Sequence, residues 1–347
     1  MRVAIVGGGL AGFVSYVALR RAGITDVTVF SPDPDPAATF RTRAAAIRQT
    51  HMRSESDGHC LPTSFPGLAV REARDRRSLA PLVASACDRY HPTVARFLAH
   101  VDELALATEW APVPARTEHI RAVEGGFTLD THGAFEHVLV ATGHPGVAIP
   151  DELRDDPRAV HAYAPHDYAE TVCVVGAGLA AATEWRNARA AGARVVSVRR
   201  REPVHRPLNV PRPLLSKRGL ARFHRLDDDT RATALRDLLA PSYPRAAHVD
   251  VPVEQHVNGA DQVICATGFL RGFRHDPLLA RLVDDHDLPA VDGWIVTAAD
   301  ATVPSLTDRS RSLALGGVAA QWAYPAADTL MGMRYVAHGL VRRCRTR

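Results

Sequence analysis

Gly7, Gly9 and Gly12 stand at the spacing G-x-G-x-x-G, and Gly176, Gly178 and Ala181 repeat it as G-x-G-x-x-A in the second half of the chain. Each set follows an apolar run of strand length, Val3-Ala4-Ile5-Val6 or Val172-Cys173-Val174-Val175, and precedes a helical pattern. At this spacing the first Gly makes a tight turn and the second lets backbone approach a pyrophosphate. The third position, Gly or Ala, lets the helix pack closely on the strand. The helix N-terminus then offers free N–H groups and the positive end of its dipole to the phosphates. Two such units in one chain predict two dinucleotides, with electrons passing from one to the other.

The second unit ends its second strand with Val195-Val196-Ser197-Val198, and Arg199, Arg200 and Arg201 follow. A ribose 2′-hydroxyl is usually read by Asp or Glu at that place, whereas a 2′-phosphate calls for Arg, which binds it bidentately. The arginines therefore favour NADPH over NADH. Against this stands a solvated basic loop in an arginine-rich chain. The run Thr50 to His59 is dense in polar groups. Arg53, Asp57 and His59 in it read either as site residues on a functional loop or as solvated charges. They lack the spacing and number of a zinc site. Arg206, Asn209, Arg212, Lys217 and Arg218 read as a gate for phosphates or an acidic substrate, or as a basic surface. There is no G-x-S-x-G and no C-x-x-C, so neither a serine nucleophile nor a redox dithiol is signalled.

The elements that must position these residues follow from periodicity. Residues 2–31 read as strand, helix and strand, with Gly23 as the helix stop. Residues 32–68 read as loop with short elements. Helical spacing over 77–105 is broken by Pro92. Residues 118–141 alternate like a small antiparallel sheet with a turn at Gly125-Gly126, followed by a buried strand, Val138 to Ala141. Residues 144–168 read as a connector and 171–200 as the second strand–helix–strand unit. Val138-Leu139-Val140 and Val263-Ile264-Cys265 both run into Ala-Thr-Gly, at Gly143 and Gly268. A last strand, Leu313 to Gly316, precedes a helix expected from Pro325 to about Arg342.

The 347 residues suffice for two cores, and 46% hydrophobic with 23% charged residues is the composition of an ordinary globular enzyme. The net charge of +4 is too small to argue for nucleic acid, and only Lys217 among the 42 basic residues is lysine. No apolar run reaches the ~18 residues of a membrane span. The first strand begins at about Arg2, so no signal peptide is expected. Cys173 and Cys265 sit in apolar strands, and a reducing cytoplasmic setting is expected.

Two glycine turns, two Ala-Thr-Gly strand ends and a Gly-bearing strand before a C-terminal helix resemble the two-dinucleotide-fold flavoproteins. Within them the pattern is similar to the flavin-containing monooxygenase and lysine/ornithine N-hydroxylase-like branch. The resemblance implies an α/β chain of two Rossmann-like domains, the NADPH domain inserted in the FAD domain. The divisions expected are 1–165, 166–268 and a return segment 269–347. Gly7, Gly9 and Gly12 would then face the FAD pyrophosphate, and Gly143 and Gly268 would mark the crossings between domains. Gly316 and the helix start at Pro325 would approach the flavin. Arg53, His59 and Gln321 would contact flavin, nicotinamide or substrate, and Trp322 would stack or simply pack. Three departures stand out. Ser31 occupies the place of the ribose-binding Glu, with Asp33 and Asp35 following. Gly317 replaces an Asp. Of the F-x-G-x-x-x-H stretch only His161 remains. The activity implied is FAD-dependent oxidation of NADPH with transfer of oxygen from O2, through a C4a-(hydro)peroxyflavin, to a small amine or thioether. The alternatives are a flavin reductase without oxygen insertion and a non-catalytic nucleotide sensor.

Overall fold

A parallel sheet with apolar residues on both faces is what a βαβ chain builds when helices cover it on both sides. The computed structural model, which describes residues 1–52, 67–86, 90–206 and 210–345, contains two such sheets. The first runs in the order Ser312–Leu315, His137–Val140, Val3–Val6, Val27–Phe30, all parallel. The second runs Val253–Glu254, Arg194–Val198, Thr171–Val175, Gln262–Cys265, Ala159–His161, again all parallel. The chain leaves the first sheet after Val140, builds the second, and returns at Ser312. The fold is thus α/β with two Rossmann-like units, the second inserted in the first.

Each half repeats one local device. Gly7 has φ +106°, and a Cβ on it would lie 2.3 Å from the Ala141 carbonyl oxygen. Gly176 has φ +139°, and its Cβ would lie 2.5 Å from the Ala266 oxygen. Only glycine fits where the turn presses on the neighbouring strand end. Both Ala-Thr-Gly strands then leave their sheets through a glycine at φ +81°, Gly143 and Gly268. The two departing segments pair with each other. Ala148 N–H donates to Gly268 O (2.9 Å) and Leu270 N–H donates to Gly146 O (3.0 Å). Thr267 Oγ1 also donates to Ala148 O. The two domains are joined by this two-stranded hinge.

Two expectations need correction. The 144–168 connector contains the strand Ala159–His161, which hydrogen-bonds in the second sheet. At three residues between Pro157 and Pro165 it is too short to show a period. The C-terminal helix is Leu330–Arg345, starting later than Pro325. Chain at Ala326–Ala327 folds back against Gly332, where a Cβ would lie 2.0 Å from Ala326 O, and Thr329 Oγ1 accepts from Gly332 N–H. The helical stretch near 77–105 is divided around Pro92 as expected, into Ala80–Ala86 and Val94–Ala107, the second capped by Thr93, which accepts from Arg96 N–H. The antiparallel sheet forms from Ile120–Val123, Gly126–Leu129 and Ala134–Phe135, with Gly125 at φ +71° in the turn.

His161 staples the inserted sheet to the hinge. Its Nε2 donates to Gly268 O (3.0 Å) and its Nδ1 accepts from Tyr163 N–H (3.1 Å), so the ring is held neutral. Burial, with smaller effects from Arg43 and His166, brings its pKa down to about 4. Protonation must break the bond from Tyr163. Since the folded value lies below the unfolded 6.5, the contribution is complete above pH 6.5 and is lost as pH falls towards 4. Thermal unfolding midpoints should therefore decline across that window, and the decline should be shallower in His161→Gln. Equal slopes for the two proteins would refute the role assigned to His161.

Candidate active site

The first glycine turn leaves room for a phosphate. Gly9 is exposed, and no atom of the described residues comes within 4 Å of where its Cβ would stand. It precedes the helix Leu10–Arg21, whose N-terminus has no side-chain cap, so its first N–H groups are free for an anion. Gly12 lies under the turn, where a Cβ would be 2.0 Å from Gly7 O. Gly317, at φ +59°, packs on Ala11 of the same helix, while Gly316 is buried against Ala141 and Leu139. The return strand therefore meets the first turn through Gly317.

Ser31 is buried against Gly8, whose missing side chain makes the space it fills. Its hydroxyl donates to Asp33 O (2.8 Å), closing a local turn. Asp33 is exposed and accepts from Asp35 N–H. Asp35 is engaged by Ala37 N–H and by Arg41. Of the two carboxylates at this strand end, Asp33 is the one directed at solvent.

The second turn is built alike but is more enclosed. The nearest described atom to a Gly178 Cβ would be Pro241 Cβ, at 3.5 Å. Ala181 is fully buried under the turn. Arg199 and Arg200 separate in the structure. The Arg199 side chain is 11% exposed, pairs with Glu202 (3.2 Å), and its buried Nε has no partner among the described residues. It lies near Tyr243, whose hydroxyl bonds His248 Nδ1 (2.8 Å). Arg200 is 89% exposed, 3.6 Å from Glu152.

A cleft of about 770 Å³ opens between the two units. One wall is a face of the helix Leu179–Ala190, formed by Leu179, Thr183, Arg186 and Asn187 at helical spacing. The opposite walls come from Arg48 to Met52, from Arg206, Ser242 and Tyr243, and from Pro325 to Met331. The 48–52 wall is held on both sides. Asn187 Nδ2 donates to Ile47 O (2.8 Å) and Arg48 stacks over Tyr168. Met52 N–H donates to Pro92 O (2.8 Å). Beneath the helix, Glu184 is fully buried, 2.8 Å from Tyr168 Oη and 3.2 Å from His166 Nε2. Burial pulls the His166 pKa down, but bonds to Glu184 and the Ala164 carbonyl outweigh it and the net shift is upward.

Gln321 is buried and lies beside the carboxylate of Asp328, which lines the cleft. Trp322 is fully buried beneath the Arg231 guanidinium and packs rather than stacks on a ligand. Arg206 lines the cleft, while Lys217 and Arg218 are exposed outside its lining. Arg53, Asp57, His59 and Asn209, together with the Arg212 side chain, lie outside the described residues. Glu184 and Asp328 gave no sequence signal, because their partners are distant in the chain or belong to no motif. No cluster of metal-ligating side chains exists among the described residues, and no helix among them is long and apolar enough to cross a membrane.

The chain shares its fold with known flavin enzymes over nearly its whole length. DfoA, a cadaverine monooxygenase of the desferrioxamine pathway from Erwinia amylovora, solved bound to FAD, aligns with a TM-score of 0.75 at 10% identity, covering 99% of this chain and 94% of that one. The ornithine N-hydroxylase KtzI of Kutzneria sp. 744, whose structure holds reduced FAD, NADP+ and L-ornithine, aligns at 0.71 and 14%, covering 99% of both. A bacillithiol disulfide reductase from Bacillus cereus aligns at 0.56 and 15%, again covering 99% of both. No protein-family model matches the sequence, and no curated protein does either.

Proposed function

We propose that the protein is an FAD-dependent, NADPH-oxidising monooxygenase acting on a small nucleophilic substrate, an amine or a thioether. The observation that carries the reading is the cleft joining the first turns of the helix after Gly178 to the return segment at Pro325–Met331. A donor nucleotide on the second fold and a flavin on the first would meet there, with room for a small substrate. Amine monooxygenases are among the enzymes that share this fold, which supports the reading.

Gly7, Gly9 and Gly12 would hold the FAD pyrophosphate, with Asp33 at the ribose end. Gly178, Ala181 and the N-terminus at Leu179 would hold NADPH, with Arg199 reading the 2′-phosphate. Bound FAD, once reduced by NADPH, supplies the chemistry that activates O2 and delivers one oxygen atom. The chain supplies binding, orientation and exclusion of water. The Arg48–Met52 wall and the 325–331 segment close the space around the substrate.

The test is product analysis under ¹⁸O2 with NADPH and a panel of primary amines and thioethers. One labelled oxygen atom in a product is expected. Rapid NADPH oxidation that reduces a quinone, with no label in any product, would instead make the protein a reductase.

A further inference from the structure

Asp328 is the one carboxylate in the cleft lining among the described residues. Its other charged neighbours are cationic. Arg48, Arg186 and Arg206 share the lining with His51 and His91, and Arg271 acts on Asp328 from the hinge side. Tyr243 lines the far wall, its hydroxyl taken by His248. The arginines suit the anionic nucleotide, which leaves Asp328 as the group for a cation. The carboxylate is accessible from the cleft while protein crowds its remaining sides. Gln321, itself buried, lies beside the carboxylate.

We infer that Asp328 receives the ammonium group of an amine substrate and takes a proton from it, with Gln321 as the positioning residue. The inference rests on the monooxygenase reading. An ammonium nitrogen has no lone pair and cannot attack an electrophilic oxygen. In the step, one N–H bond breaks and its proton passes to a carboxylate oxygen of Asp328. The electron pair stays on nitrogen as the lone pair, and the proton then leaves to cleft water. Crowding pushes the Asp328 carboxyl up from the usual carboxylate range, while Arg271 and Gln321 restrain the rise. A base whose pKa approaches the working pH is the more effective one.

The experiment is the pH profile of oxygenated-product formation by FAD-loaded protein with a primary alkylamine as probe. In Asp328→Asn, kcat near pH 7 should fall by about 10²-fold, within the range for a general base, and should recover as pH approaches the pKa of the free amine. Asp328→Glu should restore part of the neutral rate. Gln321→Ala keeps the base but removes a polar neighbour that favours the carboxylate, so its acid limb should move to higher pH by less than in Asp328→Asn. It also serves if Asp328→Asn fails to fold. Unmoved acid limbs, in a wild type that does oxygenate the amine, would overturn the role of Asp328. A wild type that forms no oxygenated product would instead overturn the monooxygenase reading beneath it.

Discussion

Replacing Gly9 by valine is expected to abolish FAD binding while leaving the apoprotein as stable as wild type. The backbone at Gly9, φ −67° and ψ −178°, is extended and open to any residue. No described atom lies within 4 Å of the new Cβ, so the backbone and Cβ of the new residue fit without a clash. It would occupy the space in front of the free N–H groups at Leu10, where a pyrophosphate must sit. Losing even two charge-assisted hydrogen bonds, at about 1.5–3 kcal/mol each, weakens binding by roughly a hundredfold or more. The matched control is Gly12→Val, whose Cβ falls 2.0 Å from Gly7 O. That variant should lose about 1–3 kcal/mol or more through overpacking, and bind poorly because its turn is broken. Flavin titration with thermal unfolding of each apoprotein separates the two. Wild-type affinity in Gly9→Val would show that no phosphate lies at this turn.

The second large effect concerns the choice of nicotinamide cofactor. Arg199→Ala should raise the KM for NADPH by about 10–100-fold, the value of one charged hydrogen bond, and change that for NADH by less than a few-fold. The sequence treats Arg199 and Arg200 alike, but their surroundings differ. Arg199 is nearly buried with an unpartnered Nε, poised for a ligand beside Tyr243. Arg200 extends into solvent towards Glu152, and exposed pairs contribute about 0–1 kcal/mol. Arg200→Ala should therefore shift the KM for NADPH by less than roughly fivefold. Steady-state kinetics with both cofactors reads this directly. Equal losses with NADPH and NADH in Arg199→Ala would make Arg199 a structural residue.

The parts legible in the sequence are those written in local spacing. Gly7, Gly12 and Gly176 are required by contacts within or beside their own turns. The Ala-Thr-Gly repeats announced the strand ends whose carbonyls press on Gly7 and Gly176. The rest depends on residues far apart in sequence. Ser31 showed that a carboxylate is missing from its strand end, but not that Gly8 makes the room it fills. Glu184 is buried only because His166 and Tyr168, 18 and 16 residues earlier in the chain, close over it. Asp328 sits in a turn without periodicity, and only the opposing walls of the cleft give it a partner chemistry. The late start of the C-terminal helix follows from Ala326–Ala327 packing on Gly332, a contact no cap signal at Pro325 foretells.

The central claim, a flavin on the first fold reduced by a nucleotide on the second, is tested most directly by anaerobic titration. Purified protein is loaded with FAD, its visible absorbance recorded, and NADPH or NADH added without oxygen. The account predicts saturable binding of one FAD per chain and bleaching of the flavin band, faster and at lower concentration with NADPH than with NADH. Protein that stays colourless in excess FAD, or a bound flavin that neither nucleotide bleaches, would contradict it.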